Sequence, residues 1–370
     1  PGGVDTFTGG SGDDTFRAFA DESFTADDVL DGGGGDDTLS ARYNNAGNTE
    51  IEGNAENIEK VFVQTTFNVD NTDFSFSGEN LNGVEQLWND GSRNSANTMA
   101  SATEELTFTQ VETEYTIGFR DTGTRLVVEF NDVSGDDDTA NVVFDDVEAS
   151  EPGAGGIDDS IESLLQIDNI ETLNITTANN SSDLAELDGD DLETLNSAGD
   201  QDLAIDDNEL PRITTVNAED LDGDLSLTIG GTDIEITSSS GDDTFAFQGN
   251  LDGDTVDAGE GNDTISVSNG NDIGLSDFAN VSNVEKLAIS DAGDVTISAA
   301  DLPTAFASIG FSLTDEAAGT GNLTATVNDL ESGDLVNVTS ANLLSGDSEA
   351  GPTNDDASPA TPNANDDDGP

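Results

Sequence analysis

The chain has 370 residues, of which 80 are Asp or Glu and 8 are Lys or Arg, so that its formal net charge is −72. This charge excludes nucleic acid as a partner, because phosphate binding needs a basic surface, and it disfavours anionic membranes for the same reason. The absence of Cys and His excludes disulfides, thiolate and imidazole metal ligands, Cys nucleophiles and the Ser-His-Asp triad.

The composition still predicts a folded protein. Forty glycines bring the apolar share close to that of ordinary globular chains. Aromatic residues make up 5% of the chain, so the core must use small and β-branched side chains, which suit stacked strands. The dense carboxylates repel each other, so the fold needs high salt or bound divalent cations. No apolar run approaches the ~20 residues of a membrane helix, and we expect no membrane insertion.

The first segment, residues 1–64, carries two copies of a glycine-rich nonapeptide. The sequences GGSGDDTF (9–16) and GGGGDDTL (32–39) both fit the pattern GGxGxDxUx, which is the repeat of calcium-binding parallel β-rolls. The distance between the copies is near the ~18 residues that two nonapeptides span. We therefore predict that Asp14 and Asp37 lie one coil apart at one edge of a roll and form one calcium site.

Residues 65–150 predict a different β architecture. Apolar and polar residues alternate over four short segments that are separated by Asp-Gly-type turns, which favours an antiparallel sheet or small sandwich. These segments are 106–109, 115–119, 126–130 and 141–144. Asp136–Asp138 lies in one such turn, and we favour a plain turn over a metal site for it. Asp121–Gly123 has the DTG sequence of aspartic proteases, but it occurs once, and a turn is the simpler interpretation.

Residues 151–237 carry a ladder of apolar pairs at almost constant intervals: Ile170 and Leu173, Leu192 and Leu195, Ile213 and Val216, Ile234 and Ile236. A companion strand lies between successive pairs, so each coil carries two short strands. The ladder predicts a β-solenoid with ~21-residue coils. Leucine-rich repeats have a similar period, but their Asn-plus-helix signature is missing.

Residues 238–290 form a second module of the nonapeptide type. Its two motif copies are SGDDTF (240–245) and GEGNDTI (259–265). The distance between their glycines, Gly241 and Gly261, is again close to one coil of two nonapeptides. Asp243 and Asp263 are therefore predicted to form a second calcium site. In the first of these copies serines 238–240 replace the leading glycines.

The two modules match beyond the nonapeptides. An Asn-x-Glu-Lys sequence follows Thr38 at positions 57–60 and follows Thr264 at positions 283–286. The spacing is the same in both modules, which indicates a duplicated unit. Asp31 and Asp257 stand just before the second motif of each module, and we predict that they complete the two calcium shells.

The C-terminal part reads as strands followed by a tail. Strand signals over 291–345 predict a further β-strand domain, with one short helix at 299–307. Residues 346–370 are an acidic tail rich in Pro and Asp, whose composition is that of a disordered segment. We predict that this tail or residues 1–8 docks on the next subunit, with cations between the two acidic surfaces.

The nonapeptides, the sequence GVEQLWNDG at 83–91 and the apolar ladder resemble those of two linked groups of proteins. These are the RTX (repeats-in-toxin) calcium-binding proteins and the bacterial surface-layer and surface-filament proteins. The resemblance implies an extracellular bacterial protein, exported by a type I-like route, that folds on meeting calcium and packs into a lattice or fibre. By this resemblance, four residues of this chain are implied to bind calcium. They are the motif aspartates Asp14, Asp37, Asp243 and Asp263.

The sequence thus predicts an all-β protein in which parallel β-solenoid or β-roll modules are combined with antiparallel, sandwich-like domains. We expect Ca²⁺ as its cofactor and a structural function by self-assembly, with the chain itself as partner and cell-surface polysaccharide as a further partner. The alternative is a calcium-dependent adhesin, for which Trp88 and Tyr43 are the candidate exposed aromatics. A carbohydrate-active enzyme with paired carboxylates is opposed by the shortage of Arg, Lys and Tyr, so we expect no catalytic site.

Overall fold

The protein is a parallel β-solenoid. The structure, a computed structural model, describes residues 4–19, 24–44, 50–67, 73–94, 105–135, 137–148, 163–230, 233–248, 251, 253–267, 277–291, 295–298, 308–313, 325–328 and 336–340. Within these residues all regular secondary structure is strand, and every strand pair is parallel. The described segments include no helix that could cross a bilayer.

The strands form two long sheets and two short ones. The first long sheet contains, in spatial order, β2 (Thr15–Ala18), β4 (Thr38–Asn44), β7 (Lys60–Phe67), β10 (Gln86–Asp90), β13 (Thr116–Thr122), β15 (Thr139–Val147), β17 (Thr172–Thr177), β19 (Thr194–Gly199), β21 (Thr215–Leu221), β23 (Glu235–Thr237), β25 (Thr255–Asp257) and β27 (Val281–Ser282), with β11 (Arg93–Asn94) beside β7.

The second long sheet alternates with the first along the chain. It contains β5 (Glu50–Glu52), β8 (Phe74–Ser77), β12 (Glu105–Val111), β14 (Arg125–Phe130), β16 (Leu164–Ile167), β18 (Ser182–Asp188), β20 (Leu203–Glu209), β22 (Leu225–Ile229), β24 (Thr244–Phe247), β26 (Thr264–Val267), β28 (Lys286–Asp291), β30 (Ser308–Leu313) and β32 (Val336–Ser340).

Two short sheets flank the long ones. The N-terminal short sheet contains β1 (Thr6–Thr8), β3 (Val29–Asp31), β6 (Ala55–Glu56) and β9 (Leu81–Asn82). The C-terminal short sheet contains β29 (Val295–Ser298) and β31 (Ala325–Asn328). The coils that begin with β3 and β6 therefore carry three strands each, and the middle coils carry two.

The core is a set of apolar columns that run from coil to coil. Side chains alternate between the core and solvent along each strand, because the side-chain period of a strand is two. Leu173 pairs with Leu195, Leu195 with Val216, and Val216 with Ile236, and all four are buried. The apolar ladder predicted from the sequence is confirmed, as are its two strands per coil. Each apolar side chain is thus buried by its counterpart in the next coil.

The antiparallel domain predicted for residues 65–150 is wrong. Strand β12 pairs with β14 and strand β13 pairs with β15, in both cases in parallel. Strands β12 to β15 alternate between the two long sheets, so the turns between them are corners of the coil and not hairpins. Asp121 in β13 and Asp146 in β15 take positive φ values of 52° and 64°, a conformation that Asp tolerates better than most residues.

Strand pairing also crosses the boundaries drawn between the sequence modules. Strand β7 pairs with β10 across the boundary at residue 64, and β23 pairs with β25 across the boundary at residue 237. Strand β28 pairs with β30 across the boundary at residue 290. The division into six segments stays a prediction. The expected short helix at 299–307 and the tail at 346–370 lie outside the described residues.

Candidate metal centre

The two nonapeptides of each module lie directly above one another. In the first module Thr15 pairs with Thr38, so that the preceding Asp14 and Asp37 occupy equivalent positions in adjacent coils. In the second module Thr244 pairs with Thr264, which places Asp243 and Asp263 in the same relation. The structure therefore brings each predicted pair of aspartates to one edge of the solenoid, one coil apart.

Glycines allow these turns to approach each other closely. Gly33 has a φ of +90°, and a Cβ atom at this position would lie 2.2 Å from the carbonyl oxygen of Gly10 in the preceding coil. In the second module Gly261 has a φ of +151°, and its Cβ would lie 2.1 Å from the carbonyl oxygen of Gly241. Only glycine combines such a backbone with so close an approach. The stacked turns therefore bring backbone carbonyl oxygens next to the motif carboxylates.

Three of the four motif aspartates are buried with one oxygen unpaired. Asp37 and Asp263 are each 0% exposed and Asp243 is 1% exposed. The Oδ1 atom of Asp37 accepts the N–H of Asp14 at 2.6 Å, and the Oδ1 atom of Asp263 accepts the N–H of Asp243 at 2.7 Å. The Oδ2 atoms of all three have no hydrogen-bond partner. A buried carboxylate oxygen without a donor is costly unless a cation compensates for its charge.

Asp14 differs from the other motif aspartates. Its side chain is partly exposed, and its Oδ2 atom accepts the N–H of Gly10 within the same turn at 2.5 Å. Asp14 also lies in the first of the stacked motif turns. It can still contribute an oxygen to an ion, but it carries no buried, unpaired oxygen of its own.

Asp31 and Asp257 occupy matching positions beside the two sites. The Oδ1 atom of Asp31 accepts the side-chain N–H of Asn57 at 2.9 Å and the backbone N–H of Gly33 at 3.0 Å. The Oδ1 atom of Asp257 accepts the side-chain N–H of Asn283 at 2.6 Å. Both aspartates are thus oriented by the asparagine of the following coil, which is the Asn of the repeated Asn-x-Glu-Lys sequence.

The burial of the second site changes its acid–base behaviour. Burial, together with the nearby carboxylates of Asp243 and Glu285, raises the pKa of Asp263 to about 6. Burial also raises the pKa of Asp243. Both effects oppose a negative charge at this point of the solenoid, and a bound cation would favour the ionised form.

The donor set fits a hard cation. Every candidate ligand is an oxygen atom, from carboxylates or from backbone carbonyls, which is the ligand type that Ca²⁺ prefers. No group of three or more acidic side chains that could hold a metal ion is found in the described part of the chain. An ion at either site would therefore take two carboxylates and complete its shell with carbonyl oxygens and water.

The other candidates from the sequence are not brought into a site. Asp121 is exposed in strand β13, where it takes a positive φ. Tyr43 is 3% exposed, and its hydroxyl donates to the carbonyl of Phe24 at 3.2 Å. Trp88 is 9% exposed and lies under the guanidinium of Arg120, whose Cζ atom is 5.3 Å from the ring centroid. Neither aromatic is the exposed ligand-binding residue that the adhesin alternative expected.

Comparison with known proteins identifies the repeats. A family model described as the RTX calcium-binding nonapeptide repeat (4 copies) matches residues 2–22, 25–42 and 247–275. The chain therefore contains RTX calcium-binding nonapeptide repeats, over less than half of its length. The copy at 240–245, in which serines replace the leading glycines, lies outside the match. No curated protein matches the chain.

Proposed function

We propose that this chain is a secreted bacterial structural protein that binds calcium and assembles with copies of itself into a surface layer or an extracellular filament. The observation that carries the calcium part is the set of three buried carboxylates, each with an unpaired oxygen, inside stacked glycine turns. Calcium neutralises these carboxylates and stabilises the folded state, and it takes no part in catalysis.

Self-association is supported by the first described coil. Val4, Phe7 and Phe19 are 72%, 54% and 48% exposed. Exposed apolar side chains of this kind favour contacts with another chain. Calcium lowers the repulsion between two chains of charge −72, so assembly depends on it.

Electron microscopy with negative stain tests this function directly. At low ionic strength, the purified chain should form ordered layers or filaments in calcium and should be dispersed when a chelator is added. Size-exclusion chromatography with light scattering measures the same change in solution. A chain that binds calcium but stays monomeric at all concentrations would contradict the assembly function and leave a calcium-dependent binding module as the better description.

We also propose that the protein has no catalytic activity. The paired carboxylates lie in tight turns, where the Oδ1 atoms of Asp37 and Asp263 accept backbone N–H groups from the adjacent coils. Such bonds are typical of carboxylates with a structural role. A screen against neutral and acidic glycans tests this proposal, and release of sugar products that is lost in Asp263→Asn would overturn it.

A further inference from the structure

Asp37 and Asp263 share an arrangement that extends beyond their own nonapeptides. The backbone N–H of Asp37 donates to the Oε2 atom of Glu59 at 2.6 Å, and the backbone N–H of Asp263 donates to the Oε2 atom of Glu285 at 2.9 Å. In both cases the glutamate and the lysine after it donate their backbone N–H groups to the carbonyl of the aspartate. Each module therefore joins a buried aspartate to a glutamate of the next coil by the same bonds.

The unpaired oxygen of Asp37 lies close to that next coil. A Cβ atom on Gly32 would lie 2.5 Å from Oδ2 of Asp37 and 1.9 Å from the carbonyl oxygen of Asn57. These two oxygens are therefore close together, and Asn57 stands two residues before Glu59 in the chain. The carboxylate oxygen without a donor thus lies near a backbone carbonyl of the coil that carries Glu59, and oxygen ligands of this kind suit Ca²⁺.

We propose that Glu59 and Glu285 are calcium ligands, which together with Asp37 and Asp263 hold one ion between the second nonapeptide coil of each module and the coil that follows it. This inference rests on the proposed function. Both glutamates lie outside the residues that the nonapeptide model matches. Each takes the place that the Asp of a further nonapeptide would occupy, so that two motif copies can form a complete site.

The charges around the two glutamates support this assignment. Lys60 contacts the Oδ2 atom of Asp36 at 2.8 Å, and Lys286 donates to the carbonyl of Asn262 at 3.2 Å. Each lysine thus binds the residue that precedes the buried aspartate, on the outer side of the turn. The carboxylates of the buried aspartates are left to another cation.

A third pair of residues provides an internal control. The N–H of Asp138 donates to the Oε2 atom of Glu171 at 2.8 Å, and Glu171 and Thr172 donate to the carbonyl of Asp138. Asp138, however, is partly exposed, and its Oδ2 atom accepts the N–H of Gly135 at 3.1 Å. This pair has the same backbone bonds without a buried, unpaired oxygen, and we do not assign an ion to it.

Calcium titrations of the full chain test the assignment. Isothermal titration calorimetry on metal-free protein at low salt gives the number of ions and their Kd for the wild type, Glu59→Gln, Glu285→Gln and the control Glu171→Gln. Glutamine keeps an oxygen that can accept the aspartate N–H, so each variant should keep the fold, which circular dichroism verifies. We expect each of the first two variants to weaken one ion about tenfold or more, because ligand charge sets calcium affinity, and the control to bind as the wild type does.

The outcomes separate this inference from the proposed function. If the wild type binds no calcium, the proposed function fails and the inference fails with it. If the wild type binds calcium and both glutamine variants bind it equally well, the inference is wrong. If Asp14→Asn loses an ion that Glu59→Gln keeps, the ion of the first module lies between Asp14 and Asp37 instead. Should Glu59→Gln not fold, Glu285→Gln decides the question independently.

Discussion

At the residue scale, Asp37 shows how folding buries a negatively charged carboxylate at a cost in free energy. Its side chain is 0% exposed, one oxygen accepts the N–H of Asp14, and the other has no donor. The first oxygen holds two coils in register. The second adds a buried charge whose cost a bound cation removes, because the surrounding turns offer this oxygen no N–H group.

Asp37→Asn should therefore change stability in opposite directions with and without calcium. In calcium the variant should melt lower, since an ion at a concentration about 100 times its Kd stabilises the fold by about 2.7 kcal/mol. In metal-free buffer the variant should melt at the same temperature as the wild type or higher, because asparagine keeps the hydrogen bond to Asp14 and removes the buried charge. Thermal melts followed by circular dichroism measure both effects.

Asp121→Asn is the matched control for this experiment. Asp121 is exposed and takes a φ of 52°, which asparagine also tolerates. The melting temperature of Asp121→Asn should follow that of the wild type in both buffers. Equal calcium stabilisation of Asp37→Asn and the wild type would rule out Asp37 as a ligand.

Asp263 makes stability depend on pH. Its pKa of about 6 in the folded protein is above the ordinary value of 3.8, so the folded state binds the proton more tightly than the unfolded state. The resulting stabilisation is complete below about pH 4 and is lost as the pH rises through about 6. In metal-free buffer Asp263→Asn should lose this part of the pH dependence.

Urea unfolding curves between pH 4 and pH 7.5 measure this difference. Subtracting the variant curve from the wild-type curve removes the general repulsion among the other carboxylates, which both proteins share. In calcium the wild type should show the opposite trend near pH 6, because the ion binds the ionised carboxylate. Parallel curves for wild type and variant would show that Asp263 has its ordinary pKa.

At the element scale, the nonapeptide turn works by the close stacking of backbone on backbone. Its glycines are not equivalent in this respect. Gly33 has a positive φ and lies against the carbonyl of Gly10, whereas nothing lies within 4 Å of a Cβ built on Gly12. Gly35, which occupies in the second copy the motif position of Gly12, has a φ of +133°, and its Cβ would lie 2.6 Å from the carbonyl carbon of Gly12. Glycine is therefore required where a turn stacks on the preceding turn, as at Gly33 and Gly35, and not at Gly12.

Gly33→Ala should destabilise the protein, and Gly12→Ala should change stability little. A left-handed backbone costs a non-glycine residue about 1–2 kcal/mol, and the clash with Gly10 adds to this cost. Chemical denaturation in calcium measures both variants. Gly33→Ala should also weaken calcium binding, because the two turns move apart. Equal stability of the two variants would mean that the turns do not stack closely.

The sequence of residues 105–147 predicts hairpins although its strands pair in parallel. The sequence interval between paired residues changes within this segment, because it is shorter from Leu106 to Leu126 than from Ile117 to Val142. Without a constant interval the coil period is hidden, and polar corners with Asp and Gly have the composition of hairpin turns. Parallel pairing becomes visible only when the strands are placed in their sheets.

At the scale of the whole molecule, 80 acidic residues repel each other along a solenoid that buries some of them. Salt and calcium relieve this repulsion differently. Roughly 1 M salt shortens the screening length to about 3 Å and weakens repulsion between exposed charges. Screening by salt cannot supply ligands to a carboxylate oxygen in a closed turn, whereas a bound calcium ion does.

Melting temperatures in metal-free buffer should therefore rise with roughly 1 M NaCl by similar amounts in the wild type and in the double variant Asp37→Asn, Asp263→Asn. Adding calcium should raise the melting temperature of the wild type further and that of the double variant much less. Small-angle scattering should show the matching compaction. An equal response of both proteins to calcium would identify the effect as generic screening of acidic surface.

The sequence by itself determined the all-β character, the coil period of residues 170–236 and the stacking of the nonapeptide pairs. These features depend on local turn chemistry and on a constant interval, both of which are written in the order of residues. Leu173, Leu195 and Val216 pair as their spacing predicts. The match of the nonapeptide model rests on the same local pattern.

Only the tertiary structure decided which polar atoms are buried and which coil they face. Glu59 and Glu285 stood in a repeated sequence whose spacing was visible, but their contact with Asp37 and Asp263 depends on the register of two coils. The burial of Trp88 beneath Arg120 likewise depends on a neighbouring strand. Solvent exposure and unpaired oxygens arise from residues far apart in sequence, so no local pattern reveals them.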